Sequence, residues 1–165
     1  MRIVAVAAAS LLLAACSHIP FVSKAPPPAG KVVGIVEYDT GLARFSTVTG
    51  VYHQDMCSKA EPDARVHLSD KEMKAILAQA DKSGFYQVKP DLTHWPDPSN
   101  RPPRCASFRL RIESGDRRNE VRWDCDADGS NAPPAEVAPV AELVRRTLHS
   151  RKEVQAMPWS SCQVK

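Results

Sequence analysis

The chain lacks the residue patterns that most catalytic sites require. Only seven of its 165 residues are glycine, and they form no glycine-rich loop that could cradle a phosphate. The sequence contains no Gly-x-Ser-x-Gly elbow, no Ser-x-x-Lys pair and no His-Glu-x-x-His motif. We therefore expect that the protein is not an enzyme and that it uses no cofactor.

The chain also has no apolar run long enough to cross a bilayer as a helix, which needs about 20 residues. Its longest such run covers residues 3–15, follows Arg2 and precedes a cysteine. A positive charge, a short apolar run and small residues in this order predict an export signal. The end of the run resembles the lipobox of bacterial lipoproteins. Its four residues are Leu13, Ala14, Ala15 and Cys16.

This resemblance implies that residues 1–15 are a signal peptide and that the chain is cut before Cys16. The cysteine thiol would carry a diacylglycerol, and the new amino end would be acylated with a chain such as palmitate. Two or more acyl chains give stable anchoring to a bilayer. Ser17, where an aspartate would favour the inner membrane, implies the outer membrane of a two-membrane bacterium, with the domain facing the periplasm. The alternative is an ordinary cleaved signal followed by a chance cysteine.

The remaining chain divides into a tether and one domain. Residues 16–30 include the run Pro26-Pro27-Pro28, and such a segment is extended and can hold a domain up to roughly 40 Å from the lipid. Residues 31–165 are long enough for a single domain with its own core. Without the signal peptide the formal charge falls from +3 to +2. This balance, together with export, argues against a nucleic-acid partner.

The other four cysteines lack the spacing of a metal site. No two of them are separated by two residues, and the histidines are scattered. An even number of cysteines in an exported chain is typical of disulfides. We therefore predict no metal ion and two disulfides among Cys57, Cys105, Cys125 and Cys162.

The segment 124–129 has some features of a calcium loop, but it lacks the acidic residue six positions after its glycine, and we interpret it as a polar turn.

The order of secondary structure predicts an α+β fold. Alternating or β-branched residues indicate strands over 31–39, 42–52, 105–113 and 119–124, with a short fifth strand over 85–88. A capping box of Ser69 and Glu72 begins one helix, which ends near Gly84. A second helix covers residues 139–150, with Pro139 in its first turn. We predict an antiparallel sheet of four or five strands with two helices on one face.

Strand alternation also gives a prediction for the disulfide pairing. Cys125 lies two residues after Trp123 and should share its core face, whereas Cys105 has the opposite parity to Phe108. A bridge across the hairpin would need both sulfurs on one face. We therefore predict the pairs Cys57–Cys105 and Cys125–Cys162.

Two features are candidates for a binding surface. The loop 94–104 is rich in proline and carries Trp95, Arg101 and Arg104, and tryptophan and arginine are typical anchors of protein interfaces. Strand parity places three further arginines on the outward face of one hairpin, where they could grip carboxylates or phosphates. These are Arg109, Arg111 and Arg122. Trp159 also lies in a proline-containing segment outside the periodic elements. The alternatives are a solvated strand face for the arginines and, for Trp95 and Trp159, rings that cap the ends of the core.

The order of elements from Ile35 to Leu148 resembles the emfourin family of protein inhibitors of metalloproteases. The resemblance implies a compact α+β binding module with inhibition as its activity, although emfourins lack a lipid signal and four cysteines. We therefore expect a non-catalytic, lipid-anchored module that inhibits or neutralises an envelope or secreted hydrolase. The competing hypothesis is a structural or assembly accessory lipoprotein of the cell envelope or of a secretion system.

Overall fold

The structure is a computed structural model that describes residues 34–57, 62–160 and 162. The predicted signal peptide, the lipidated Cys16 and the tether lie outside the described residues. Within this part of the chain, no helix has the length and apolarity that crossing a bilayer requires.

Seven strands and three α-helices are present in the described residues. The strands form one sheet in the order β4-β3-β2-β1-β6-β7-β5, in which β5 runs parallel to β7 and all other neighbours are antiparallel. The strands are β1 (Ile35–Asp39), β2 (Ala43–Ser46), β3 (Val51–Gln54), β4 (Asp63–Arg65), β5 (Asp91–Leu92), β6 (Ser107–Ser114) and β7 (Arg117–Asp124). The helices are α1 (Asp70–Lys82), α2 (Ala138–His149) and α3 (Lys152–Gln155).

The α+β class is confirmed, but the prediction of four or five antiparallel strands is wrong. The predicted strand 42–52 is two strands, β2 and β3, because a turn that ends at Gly50, with a φ of +63°, separates them. The predicted strand 85–88 is a 3₁₀-helix over Phe85–Gln87. The extra strands β4 and β5 have three and two residues, which is too short to produce an alternating pattern.

The core lies between one face of the sheet and the helices. A row of cross-strand neighbours, from Ala64 through Phe45 and Tyr38 to Val121, is buried on that face. The predicted stripe of α1, which includes Ile76, packs into the same cluster, as does that of α2, which includes Val144. Helix α1 begins with the predicted capping box of Ser69 and Glu72.

Two disulfides are present, but the predicted pairing is wrong. Cys57 is bonded to Cys162 and Cys105 to Cys125, with Cα atoms 5.1 Å apart in each pair. Cys105 and Cys125 lie just outside β6 and β7, so the alternation of faces does not extend to them. The chain turns before β6, where Arg104 has a φ of +69° and the Cys105 N–H donates to the Pro102 carbonyl.

The strand directions define two ends of the sheet. The chain enters the domain at Gly34, where an added Cβ would lie 2.3 Å from the Glu113 carbonyl oxygen, so only glycine fits. We call this the near end; it also carries the turn between β6 and β7. The opposite end, the far end, holds the β1–β2 turn, the last residue of β3, the first of β6 and the last of β7.

Candidate functional site

A buried carboxylate at the far end fixes the start of the loop 94–104. Asp124 is only 2% exposed. One of its oxygens accepts a hydrogen bond from the His94 N–H at 2.7 Å, and the other accepts from the Trp95 N–H at 3.1 Å. The guanidinium of Arg101 lies 3.6 Å from the same carboxylate. A buried charge with a cationic partner and amide donors is compensated, so this group holds the loop in one conformation.

Arg101 therefore faces the body of the protein and is largely withdrawn from solvent. Its side chain is 24% exposed. Besides the contact with Asp124, its Nη1 donates to the Ser107 hydroxyl at 2.6 Å and its Nη2 to the Trp95 carbonyl at 3.4 Å. We predicted Arg101 as a contact residue, but these hydrogen bonds show that it links the loop 94–104 to β6.

The two other predicted loop residues have different environments. Trp95 is half-buried, and its indole N–H donates to the Asp126 carbonyl at 3.3 Å. Arg104 is exposed, while its own carbonyl accepts a hydrogen bond from the Asn131 amide at 2.9 Å. The disulfide at Cys105 follows at once. The loop is thus attached at both ends, and Arg104 is the predicted loop residue whose side chain is exposed to solvent.

The three hairpin arginines share the helix-free face of the sheet, as their parity predicted. Arg109 lies directly opposite Arg122 across β6 and β7, and both approach Glu120, with N–O distances of 3.8 Å and 2.8 Å. Arg111 lies 3.3 Å from Glu37 and also pairs with Glu113. Hydrogen bonding to Glu113 raises the pKa of Arg111 above its usual value.

This face therefore carries a network of ion pairs, in which glutamates offset the positive charge of the arginines. Such exposed pairs contribute little to stability, about 0–1 kcal/mol each. The loop 94–104 borders this network. Arg101 of the loop contacts Ser107, and Ser107 lies two residues before Arg109 on the same face of the sheet. The structure thus brings the two predicted surfaces side by side.

The sequence did not predict that the segment 157–160, which contains Trp159, forms a third part of the far end. The Gln54 amide donates to the Pro158 carbonyl at 3.2 Å, and the Ser160 hydroxyl donates to the Asp55 carbonyl at 2.6 Å. The disulfide of Cys57 and Cys162 closes the same region. Between these attachments Trp159 is 95% exposed, so it does not cap the core, and its position directly after Pro158 and three residues before Cys162 is the signal that could have indicated this segment.

A cavity of about 190 Å³ lies beside this segment, between the sheet and the end of α2. Its walls include Tyr38 and Tyr52 from the sheet, Arg145 and His149 from the helix, and Ser160. Burial raises the pKa of Tyr38 to about 12, and it also raises the pKa of Tyr52. Both hydroxyls therefore stay protonated and can donate hydrogen bonds at neutral pH.

One group of potential metal ligands occurs among the residues that the structure describes. Ligand atoms of Asp55, Cys57 and Cys162 lie within 4.8 Å of one another. The two sulfurs are bonded to each other, however, and a disulfide offers no thiolate to a metal. We assign no metal site to this group.

Comparisons with protein-family models, with curated proteins and with solved structures give no significant match to this chain. The resemblances to bacterial lipoproteins and to emfourins therefore stay predictions.

Proposed function

We propose that this chain is a non-catalytic lipoprotein, anchored to the outer membrane and facing the periplasm, that inhibits or neutralises an envelope or secreted hydrolase by binding it with the far end of its sheet. The observation that carries the proposal is the attachment of the loop 94–104 to the buried carboxylate of Asp124. The inhibitory part rests on the emfourin-like order of elements.

A loop held in one conformation is suited to binding another protein. Ordering a mobile loop at an interface costs free energy, which lowers affinity. Here the Asp124 cluster and the Cys105–Cys125 disulfide have already ordered it. The loop presents Pro103 and Arg104 to solvent. Arginine is enriched among the residues that dominate interface energies, as is tryptophan, which Trp159 supplies at the same end.

The position of the tether fits the same proposal. Residue Gly34 lies at the near end, so the preceding tether joins the domain on the side away from the loop. A lipid anchor at Cys16 would thus leave the far end free to meet a partner. The extended tether would provide a reach of roughly 40 Å.

The test is capture of partners from a periplasmic extract. We expect Arg104→Glu to reduce recovery of the main partner at least tenfold, because it reverses the charge of an exposed side chain in the proposed contact. Glutamate, like arginine, is an L-residue with a long side chain, so the positive φ of position 104 is no harder to adopt in the variant. The matched control is Arg118→Glu, an exposed β7 residue opposite Glu113 at the near end, which should leave recovery unchanged. Trp95 is unsuitable for this purpose, because its replacement would disturb the loop itself.

The captured protein is then assayed for hydrolysis in the presence and absence of the domain. Dose-dependent loss of its activity would support the proposal. Equal recovery by the Arg104→Glu variant would remove the loop from the contact surface. A partner set made up of secretion or cell-wall assembly components, without a hydrolase, would favour the assembly hypothesis.

A further inference from the structure

The far-end cavity combines apolar walls with several hydrogen-bond donors. Leu42 and Leu148 provide apolar surface, and Tyr38 and Tyr52 lie two strands apart in the same row of the sheet. Within the described residues, no group accepts a hydrogen bond from either tyrosine hydroxyl. These two protonated phenols are therefore available to an acceptor that enters the cavity.

Helix α2 adds nitrogen donors to the same cavity, and Glu142 balances the charge of one of them, Arg145. Arg145 donates through Nε and Nη2 to Glu142, at 2.9 Å and 2.8 Å, so its Nη1 remains for a further acceptor. His149 completes this wall. Burial, together with the nearby Arg145, lowers the pKa of His149, so its ring is neutral at pH 7 and can also donate through one nitrogen.

The size of the cavity limits what can occupy it. An apolar cavity of about 150 Å³ accommodates benzene, and this one measures about 190 Å³. A single aromatic ring or branched aliphatic group fits, with space for a small polar group. Phenol and guanidinium donors favour an anionic acceptor such as a carboxylate.

We propose that this cavity binds a carboxylate attached to one aromatic or branched aliphatic group, with Arg145, Tyr38 and Tyr52 holding the carboxylate and Leu42 and Leu148 contacting the apolar part. Both the last residue of a peptide and a small free acid have this chemistry. The site does not use the loop 94–104, so it can be present or absent independently of the protein-binding function proposed above.

The test is calorimetric titration of the full mature chain, purified in detergent, with N-acetyl-L-phenylalanine. A ligand of this size should bind with a Kd on the order of 1 mM. N-acetyl-L-phenylalaninamide keeps the ring and lacks the carboxylate, and N-acetylglycine keeps the carboxylate and lacks the ring. We expect both to bind at least tenfold more weakly. Equal binding of the acid and the amide would overturn the proposal.

Variants assign the site to the cavity. Arg145→Gln and Tyr38→Phe should each weaken binding of N-acetyl-L-phenylalanine about tenfold, because each removes a donor while keeping most of the side-chain volume. Arg146→Gln changes the next residue, which also contacts Glu142 but does not line the cavity, and should bind as the wild type does. Unchanged binding by Arg145→Gln would reject the site.

Two further measurements identify the ligand source and separate the two proposals. Binding of 3-phenylpropanoate without binding of N-acetyl-L-phenylalanine would assign the site to small acids, whereas binding of both would include peptide ends. The Arg104→Glu variant should bind both ligands normally, because the loop does not line the cavity. Loss of binding in Arg104→Glu would contradict the separation of the two surfaces.

Discussion

Asp124 shows how one residue can decide the shape of a surface. As a member of an acidic segment it was interpreted as part of a polar turn, but its carboxylate is buried and accepts two backbone N–H groups of the loop 94–104. Arg101 offsets its charge. The sequence gives no sign of this, because burial of a carboxylate depends on which residues the fold places around it. The loop 94–104 therefore owes its conformation to a residue about thirty positions away.

Replacement of Asp124 by alanine should destabilise the protein strongly. It would leave the His94 and Trp95 N–H groups without their acceptor, and Arg101 would lose its anionic partner. We expect a loss of about 2–4 kcal/mol in the free energy of unfolding, measured by urea denaturation. Asp116→Asn, in the exposed turn between β6 and β7, is the control and should change stability by less than about 0.5 kcal/mol. A similar value for both variants would show that the carboxylate does not anchor the loop.

Among the secondary structure elements, those with a long periodic pattern could be predicted and the shortest could not. Helix α1 was found with its capping box and its core stripe, because both signals are local in sequence. The paired strands β6 and β7 were found for the same reason. β5 has two residues, and its pairing with β7 is a tertiary contact that leaves no pattern. The disulfide pairing was missed because strand parity was extended past the strand ends.

Glu72 makes the start of α1 dependent on pH. Burial alone would raise the pKa of its carboxyl, but hydrogen bonds from Ser69 and the interaction with Arg151 outweigh burial and lower it below the ordinary value of 4.5. A carboxyl with a lowered folded-state pKa stabilises the fold above its unfolded pKa. This stabilisation is lost as the pH falls through the folded-state pKa.

Glu72→Gln should therefore cost about 1 kcal/mol of unfolding free energy at pH 7, and this cost should vanish as the pH falls through the lowered folded-state pKa and the wild-type carboxyl becomes protonated. Urea denaturation at a series of pH values measures this difference. Glu153→Gln, on the exposed side of α3, should show a small difference at every pH. A cost for Glu72→Gln that stays constant with pH would contradict the role of the charged carboxylate.

For the molecule as a whole, the two ends of the sheet differ in what fixes them. Both disulfides, the Asp124 cluster and the attached segment 157–160 lie at the far end, whereas Gly34, where the predicted tether would join, lies at the near end. Cross-links that close loops of 20 and 105 residues each limit the unfolded chain. They also hold the surface loops next to them. A protein that only needed stability could place them anywhere, so their concentration at the end opposite Gly34 agrees with the binding surface proposed there.

The proposed orientation of that surface depends on the predicted lipid anchor, which can be tested at Cys16. Each acyl CH₂ that enters the bilayer contributes about 0.8 kcal/mol, so two or more chains hold the domain stably, whereas one binds marginally. We expect mass spectrometry of the wild-type protein to find a mature chain that begins at Cys16 and carries the mass of acyl groups. The Cys16→Ser variant should lack the mass of the acyl groups. Any Cys16→Ser chain that is cleaved before residue 16 should wash off the membranes, because it has no lipid to hold it there. Ser17→Asp keeps the thiol and should remain lipidated, but move from the outer to the inner membrane fraction. A wild-type chain that still begins at Met1, or one with a free amino end and no lipid, would contradict the anchor, and the argument that the tether presents the far end to a partner would lose its basis.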